Sequence, residues 1–402
     1  MPRAICYQFN IMKRRSFASQ DQSRRTAQPL VALAFPLAVP HLARMLKGIQ
    51  DYARRHTRWR FTTSESNFGH LADLDGWDGD GVIGLVANAR DIAVARGLGC
   101  PVVNCSGSFA AVNLPRVRPD YFAAGTLAAE HLLDRCFRRF AFYGIMDFFY
   151  SQQLKAGFVK RVSALGFRVS VLETTLAVRR QQPWRVRREK LEKWLQQLQT
   201  PVALFCAEDV RAAAVIEACH WIGLRVPHDV AVMGYDNDQI ICELCDPPLT
   251  SIGRRDEEVG VEAARLLDAL MSGRVKPANQ EVVVAPAPMA WRASTGVVCV
   301  ENPVLRKAVE FMHEHYARGV SVEEVAAHCG RSRRWLELRA RGVLPGKLLD
   351  YLNNLRVQKA RALLAAGGDL LLKDVARECG FSSAKHLAAV LRRQRLPSQM
   401  RQ

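Results

Sequence analysis

The chain has 402 residues and a formal net charge of +18, with 57 Lys and Arg against 39 Asp and Glu. This length predicts two or three domains with buried cores, and no apolar run approaches the ~20 residues that a membrane-spanning helix requires. The positive charge is concentrated at the end, where 19 Lys and Arg face 10 Asp and Glu after residue 300. Such a basic domain favours attraction to the phosphate backbone of double-stranded DNA.

The N-terminal segment, residues 1–28, is basic and polar, and we predict a disordered tail. Arg14-Arg-Ser-Phe17 superficially resembles a twin-arginine export signal. However, Pro29, Pro36 and Pro40 interrupt the apolar run that follows, and no small-residue cleavage site comes after it. We therefore predict a cytoplasmic protein, with an exported sugar-binding protein as the alternative.

From Leu30 the chain alternates continuous apolar runs of strand length with segments of helical apolar spacing. The predicted strands are 30–35, 60–63, 81–86, 101–104, 140–143, 169–172, 202–205 and 230–234, and the predicted helices are 41–56, a helix ending at 97, 120–133, 152–165, 187–199 and 210–222. This alternation is typical of parallel sheets covered by helices on both faces. Such sheets bind ligands beyond the carboxyl ends of their strands.

One part of this region resembles a known family. Val226–Asn237, followed by Asp246–Ile252, is similar to the ligand-sensing core of LacI-type repressors, which itself resembles periplasmic sugar-binding proteins. Cys206–Ala212, and Asp120 with the helix after it, match two further landmarks of that family. The resemblance implies a two-lobed, periplasmic-binding-protein-like sensor with doubly wound parallel sheets over residues 29–287, and a small sugar as its effector.

The same resemblance implies a set of ligand-binding residues: Asp209, Asp236, Asn237, Asp120 and Gln153. Asp209 and Asp236 would accept hydrogen bonds from sugar hydroxyls, and Asn104 is a further candidate. Gln153 stands near a position where sensors of this type usually carry Arg, with Lys155 as a substitute. Aromatic plates for the C–H face of a sugar are offered by 148–150. Alternatively, each Asp is a helix cap or a turn residue.

The segment Ala285–Gly296 is rich in Pro and small residues, and we predict a linker over 288–301. The C-terminal domain, 302–402, then contains two similar units, Val322–Arg341 and Lys373–Arg393. Each has a helix with a small Ala (Ala326, Ala376), a Gly turn (Gly330, Gly380) and a second, basic helix that a Ser (Ser332, Ser382) can cap. This pattern predicts an all-α domain with two helix-turn-helix units.

The two units and Tyr351–Leu364 between them resemble the AraC-type DNA-binding domain, in which the middle segment is one long helix. The sequence departs from the family pattern at Ala340 and Pro345 and near its end. An AraC-type domain behind a LacI-type sensor is the order of the bacterial xylose-operon regulators. This resemblance implies a sugar-responsive transcriptional regulator, with a pentose such as xylose as effector, a homodimer, and RNA polymerase as a further partner.

The candidate DNA-binding residues lie on the second helix of each unit. They are Ser332, Arg333, Arg334, Glu337, Arg339 and Arg341 in the first unit, and Ser383, Lys385, His386, Arg392 and Arg393 in the second. Arg side chains near a helix start can pair with guanine and Glu can accept from cytosine, whereas later Arg residues contact phosphates. Because the second helix is rich in Ala, we expect looser base reading there. Alternatively, these charges form a solvated helix face.

Nothing in the sequence indicates catalysis, because phosphate-binding loops, nucleophile elbows and paired metal-binding His are absent. We therefore predict no catalytic residues, no cofactor and no metal. Cys242-Glu-Leu-Cys245 has the spacing of half a zinc site, but no second pair lies nearby, so reduced thiols are the preferred interpretation. The alternative is a DNA-modifying enzyme that uses a cysteine or a metal.

Overall fold

The structure is a computed structural model that describes residues 28–36, 39–62, 71–86, 88–110, 113–276, 280–344, 346–365 and 371–395. Within these ranges the chain forms two α/β lobes and a helical C-terminal domain, which confirms the predicted fold class. The predicted tail lies outside the described residues except for Gln28, and Pro345 lies outside them too. No described helix is both long and apolar enough to cross a bilayer.

Lobe 1 is built on a parallel sheet with the strand order β2-β1-β3-β4-β5-β11. Its strands are β1 (Leu30–Ala34), β2 (Arg60–Thr62), β3 (Gly81–Gly84), β4 (Val102–Asn104), β5 (Arg116–Pro119) and β11 (Glu281–Val284), and its helices are α1 (Pro40–His56), α2 (Ala89–Gly97) and α9 (Asp256–Met271). Val31 and Ile83 pack against α1 and α9, whereas Ala32 and Val82 face the opposite core. Strands β1 and β3, at the centre of the sheet, are continuously apolar because both of their faces are buried.

Lobe 2 has a second sheet with the order β7-β6-β8-β9-β10-β12, in which β12 is antiparallel to β10. Its strands are β6 (Phe140–Ile145), β7 (Val169–Thr174), β8 (Val202–Cys206), β9 (Val230–Asp236), β10 (Thr250–Gly253) and β12 (Met289–Ala290); its helices are α3 (Tyr121–Asp134), α4 (Phe149–Ser163), α5 (Leu176–Gln181), α6 (Trp184–Gln197), α7 (Asp209–Trp221) and α8 (Gln239–Leu244). A Cβ at Gly125 of α3 would lie 2.0 Å from the Leu154 carbonyl oxygen of α4. Helices α3 and α4 are therefore in direct backbone contact.

The chain passes between the lobes at three places: from β5 to α3, from β10 to α9, and from β11 to β12. The third passage shows where the structure differs from the predicted linker. Met289–Ala290 pairs with Ser251–Ile252 as an edge strand, and the hydroxyl of the fully buried Ser294 donates to the Val232 carbonyl oxygen at 2.7 Å. Much of this Pro-rich segment therefore belongs to lobe 2.

The C-terminal domain, which we call the reader, has six described helices: α10 (Pro303–His315), α11 (Val322–His328), α12 (Arg333–Ala340), α13 (Leu348–Ala365), α14 (Leu372–Glu378) and α15 (Ala384–Arg395). Helices α11–α12 and α14–α15 are the two predicted helix-turn-helix units, and α13 is the long helix between them. Ala326 and Ala376 are buried where the helices of each unit pack. Gly330 and Gly380 have φ of +61° and +76°, which a residue with a side chain adopts only with strain.

Candidate functional site

The two lobes are in contact at residues that follow the carboxyl ends of β4 and β6, and we call the region between the strand ends of the two lobes the cleft. The first turn of α4 in lobe 2 joins them, because the backbone N–H groups of Phe149 and Tyr150 donate to the carbonyl oxygens of Ser108 and Gly107 at 3.0 and 2.9 Å. At Gly107 a Cβ would lie 2.4 Å from the Tyr121 hydroxyl. The lobes are thus in contact at the cleft through backbone groups and one close aromatic neighbour.

Two carboxylates line lobe 2 at this cleft. Asp236, one of the predicted ligand residues, ends β9 with φ of +113° and lies 3.3 Å from the guanidinium of Arg254. Glu208 accepts hydrogen bonds from the Tyr150 hydroxyl and from Arg211 Nε, the latter at 3.0 Å. Burial raises the pKa of Asp236 to about 7, against the opposing effect of the Arg254 charge. Additional hydrogen-bond donors would therefore stabilise the charged form of this carboxyl.

Arg254 is a cleft residue that the sequence reasoning missed. Its guanidinium is buried between Asp236 and Asp256, with 2.9 Å between its Nε and Asp256, and Asp256 also pairs with Arg44 at 3.0 Å. The predicted substitute, Lys155, is instead paired with Glu173 at 2.7 Å. Arg254 lies in the passage between β10 and α9. The one sequence signal that could have identified Arg254 is its position, since it follows the matched Asp246–Ile252 motif and stands between a strand and the start of a helix.

Lobe 1 contributes buried donors to the same cleft. Asn104 Oδ1 accepts from the N–H groups of Val86 and Ser106, while its Nδ2 is buried without a hydrogen-bond partner among the described residues. The Nε of Arg116 is likewise buried without a described partner. The Arg116 guanidinium carbon lies 4.9 Å from the centre of the Phe149 ring. Buried donors without acceptors are costly, so these two groups are suited to a bound polar molecule.

The structure does not bring all predicted ligand residues to the cleft. Asp209 accepts from the Ser251 hydroxyl at 2.6 Å and from the Asp238 N–H at 2.7 Å, and only 2% of its surface is exposed. The Asn237 side chain accepts from Arg292 at 2.9 Å. These two side chains have their hydrogen bonds within lobe 2.

Two other predicted ligand residues lie on helices beside the cleft. Asp120 caps α3 by accepting from the Ala123 N–H at 2.9 Å, which is the helix-cap role that the sequence left open. Gln153 lies half-buried on α4. The rings of Phe148 and Tyr150, two of the predicted plates, stack with their centres 5.4 Å apart.

The first helix of the DNA-reading surface is α12. Ser332 caps it by accepting from the Trp335 N–H at 3.2 Å, and Arg333 and Arg334 are exposed in its first turn. Arg333 is paired with Glu323 of α11 at 2.6 Å. The exposed residues Arg339 and Arg341 lie at the other end of the helix. The residues predicted for base contacts thus lie at the start of the helix, and those predicted for phosphate contacts lie at its end.

Glu337, a predicted base reader, has a different position. It is half-buried, and its carboxylate accepts from the Leu348 N–H at the start of α13, at 3.4 Å. A carboxylate at a helix N-terminus is favoured by the exposed N–H groups and the dipole there. The side chain therefore connects α12 to α13 instead of standing free on the reading surface.

The second reading helix is α15, and its cap differs from the predicted one. Ser383 accepts from the His386 N–H at 3.1 Å, so Ser383 and not Ser382 is the cap. The Ser382 hydroxyl lies 3.2 Å from His386 Nδ1 instead. Lys385 is exposed in the first turn, and Arg392 and Arg393 are exposed near the end. The predicted contact residues of this unit thus lie along one short helix.

The reader is docked on lobe 2 at the C-terminal end of α3. The Tyr351 hydroxyl of α13 donates to the backbone oxygen of Asp134, and Gln358 donates to the Asp134 carboxylate. His313 Nε2 of α10 lies 2.8 Å from the Tyr351 hydroxyl. Cys136, just beyond α3, is buried within the apolar core of the reader. The two domains are therefore in direct, partly buried contact.

The cysteine pair does not have the geometry of a metal site. Cys242 is buried with its thiol 3.5 Å from Asp209, and the Cys245 thiol donates to the Ile241 carbonyl oxygen at 3.2 Å. Burial raises the pKa of both thiols, which favours the neutral form. Among the described residues, no group of three or more His, Cys, Asp or Glu side chains is arranged to hold a metal ion.

Comparison with known protein families finds a match for two parts of the chain. Residues 129–295 match a periplasmic binding protein-like domain, and residues 316–402 match a helix-turn-helix domain. The chain is 24% identical over 379 residues to the xylose operon regulatory protein of Escherichia coli (strain K12), covering 92% of this chain and 95% of that protein. The corresponding protein of Haemophilus influenzae is 22% identical over 372 residues, covering 90% and 95%. The solved structure of the xylose-binding transcription activator xylR matches with a TM-score of 0.61 and 23% identity over 92% of this chain and 97% of that chain.

A two-lobed sensor joined to paired helix-turn-helix units defines a DNA-binding transcriptional regulator that responds to a ligand. The chain is similar over nearly its whole length to the xylose operon regulatory proteins. The relatives that match over nearly the whole chain are regulatory proteins, which supports the prediction of a regulator over the DNA-modifying alternative.

Proposed function

We propose that the cleft binds a pentose such as xylose, and that the sugar changes how the reader holds promoter DNA. The observation that carries this proposal is the Asp236–Arg254 pair at the cleft, a charged acceptor and a charged donor fixed side by side. A monosaccharide presents hydroxyls that both donate and accept, so it complements such a pair. The relatives that match over nearly the whole chain are named for xylose.

The rest of the cleft fits the same ligand class. Glu208 adds a second carboxylate, and the unpartnered Asn104 Nδ2 and Arg116 Nε add donors from lobe 1. The stacked rings of Phe148 and Tyr150 offer an apolar plate for the C–H face of the sugar. Since donors and acceptors come from both lobes, a bound sugar would hold the lobes closed.

Helix α3 offers a direct route from the cleft to the reader. It begins at Tyr121, whose ring lies 6.0 Å from that of Tyr150 and 6.1 Å from that of Tyr235, next to Asp236. It ends at Asp134, to which Tyr351 of the reader donates. Its 14 residues correspond to about 21 Å of helix. Because α3 is in backbone contact with α4, a rotation of lobe 2 on sugar closure would carry the reader with it.

On DNA, we propose that α12 and α15 enter successive major grooves, about 34 Å apart along one face of the duplex. Arg334 is the preferred base reader, because it is exposed in the first turn of α12. Domain order and homology support a homodimer that acts at a promoter together with RNA polymerase. A DNA target also implies the cytoplasm as the location.

The test of the ligand is calorimetric titration of xylose, arabinose and ribose into the full chain and into Asp236→Asn. We expect one pentose to bind, and the variant to lose tenfold or more in affinity, because a hydrogen bond to a charged group contributes about 1.5–3 kcal/mol. The matched control is Glu243→Gln, an exposed carboxylate on α8 outside the cleft. Binding of no pentose, or equal binding by Asp236→Asn, would rule out the proposed site.

A further inference from the structure

Lobe 2 contains a second cavity, of about 200 Å³, which shares Glu208 with the cleft between the lobes but lies behind it within lobe 2. It lies against β6 and β7, between α6 and α7 and beside α5, and all of its lining residues fall within 143–218. Because lobe 1 contributes nothing to it, lobe closure is not needed to form it. Apolar cavities of about 150 Å³ are large enough to bind benzene, so this one has room for a substituted aromatic ring.

The lining is apolar on one side. The apolar contribution comes from Leu172, Val178 and Leu191, with the aromatic ring of Trp184 beside them. On the other side it carries three buried polar atoms without a hydrogen-bond partner among the described residues, namely Gln182 Oε1, Arg187 Nε and Arg188 Nε. A buried donor or acceptor without a partner costs about 1–3 kcal/mol, which a bound molecule with matching groups would recover.

The charges of the lining favour an anion. Arg211 is neutralised by Glu208 at 3.0 Å and Arg188 by Glu192 at 3.1 Å. Of the remaining charged side chains that the structure describes in the lining, Arg187 and Lys190 outnumber Glu217. A carboxylate next to Arg187 would therefore be stabilised both by charge and by the unused Nε donor.

We propose that this cavity is a second ligand site, which takes a small aromatic carboxylate bearing a hydroxyl. The ring lies against the apolar side, the carboxylate accepts from Arg187, and the hydroxyl donates to Gln182 Oε1. This assignment uses two of the three unsatisfied atoms of the described lining; the third, Arg188 Nε, lies 3.1 Å from the Glu192 carboxylate.

The same site is connected to the cleft. Arg211 lines the cavity and donates to Glu208, which in turn accepts from the Tyr150 hydroxyl. The backbone N–H of Tyr150 donates to Gly107 of lobe 1 at 2.9 Å. An occupant that shifts Arg211 thus changes a contact between the lobes, and so the sugar affinity. This second step, unlike the binding itself, rests on the proposed function.

The experiment titrates 4-hydroxybenzoate, benzoate and 4-hydroxybenzyl alcohol into the full chain by calorimetry. We expect 4-hydroxybenzoate to bind best, and Arg187→Gln to weaken it tenfold or more. Arg185→Gln is the matched control on the same helix, because 81% of the Arg185 side chain is exposed and it does not line the cavity. Gln182→Leu should remove the advantage of 4-hydroxybenzoate over benzoate.

The proposal is overturned if none of the three probes binds, if Arg187→Gln binds 4-hydroxybenzoate as well as the wild type, or if Asp236→Asn abolishes that binding and so places the probe in the cleft. A xylose titration separates the two proposals. If 4-hydroxybenzoate binding depends on Arg187 while no pentose binds, the second site stands and the proposed function fails. With both ligands bound, saturating 4-hydroxybenzoate should change the xylose affinity at least threefold, and an unchanged affinity would refute the connection through Arg211.

Discussion

Replacing Asp209 with Ala separates a structural carboxylate from a sugar-binding one. The buried Asp209 accepts from the Ser251 hydroxyl at 2.6 Å and from the Asp238 N–H at 2.7 Å. The variant leaves two donors without an acceptor, at about 1–3 kcal/mol each, so we expect a loss of about 3 kcal/mol in the free energy of unfolding. That is a large part of the 5–15 kcal/mol typical of a domain and corresponds to roughly 6–12 °C in Tm.

The size of this loss should depend on pH. Burial raises the pKa of Asp209 from its ordinary value of 3.8 to about 6. Between these two values the folded wild type binds more protons than the unfolded chain, so its stability falls as pH rises through that window. The Ala variant lacks this dependence. The difference between wild type and variant is therefore expected to be smaller at pH 7.5 than at pH 5.

The assay is urea unfolding followed by tryptophan fluorescence, together with calorimetric titration of xylose into the folded variant. Asp236→Asn should show the opposite pattern, with a near-normal urea midpoint and weak sugar binding. An Asp209→Ala variant that unfolds at the wild-type midpoint but no longer binds sugar would refute the structural assignment. It would show that the Asp209 carboxylate reaches the ligand despite its contacts in the structure.

Three further predictions concern the cleft, the domain contact and DNA. Xylose affinity should fall as pH is lowered from 7.5 to 5.5, because hydroxyl donors favour the charged form of Asp236, whose pKa in the free protein is about 7, and calorimetry should find Asp236→Asn weak at every pH. Tyr351→Phe should keep sugar binding and DNA binding but reduce, by about 1 kcal/mol, the effect of promoter DNA on xylose affinity, because it removes the hydrogen bond to Asp134; an unchanged effect would exclude this contact as the route. Arg334→Ala should cost about 1–3 kcal/mol on the specific promoter site only, whereas Arg339→Ala should weaken all DNA similarly and lower the salt dependence, as measured by fluorescence anisotropy.

The sequence predicted the apolar strands and the helix-turn-helix units well, because both have strong local patterns. Strand β5, Arg-Val-Arg-Pro, was missed because its two Arg side chains are polar, yet Arg116 is buried through contacts with the Phe109 carbonyl oxygen and Glu281. The predicted linker was wrong for Met289–Ala290, since Pro-rich flanks hide an edge strand whose pairing with β10 comes from distant residues. Contacts with residues distant in the sequence determine the structure of both segments, and the local sequence pattern contains no information about those contacts.

The candidate ligand residues show the same limit at the level of single atoms. A sequence motif places Asp209 and Asp236 at the carboxyl ends of neighbouring strands, but it cannot tell which carboxylate is already satisfied. The Ser251 hydroxyl and the Asp238 N–H donate to the Asp209 carboxylate, whereas the Asp236 carboxylate accepts from Arg254. Arg254 itself lies 18 residues from Asp236 in the chain, so only the fold brings the two together. A sequence pattern also does not distinguish between neighbouring residues, such as Ser382 and Ser383 as the cap of α15.

The contact between lobe 2 and the reader has a suitable strength for a switch. Coupling between ligand and DNA sites typically amounts to 1–3 kcal/mol, and a hydrogen bond contributes about 0.5–1.5 kcal/mol. The donors Tyr351, Gln358 and Arg138 make three such bonds across the contact, the last to the Val343 carbonyl oxygen. Three bonds therefore match the coupling that a sugar switch requires. The acceptor of each hydrogen bond is a backbone oxygen or the Asp134 carboxylate. The three bonds therefore depend on the position of α3 and of the turn that follows it. A small rotation of lobe 2 would break or re-form all three bonds together.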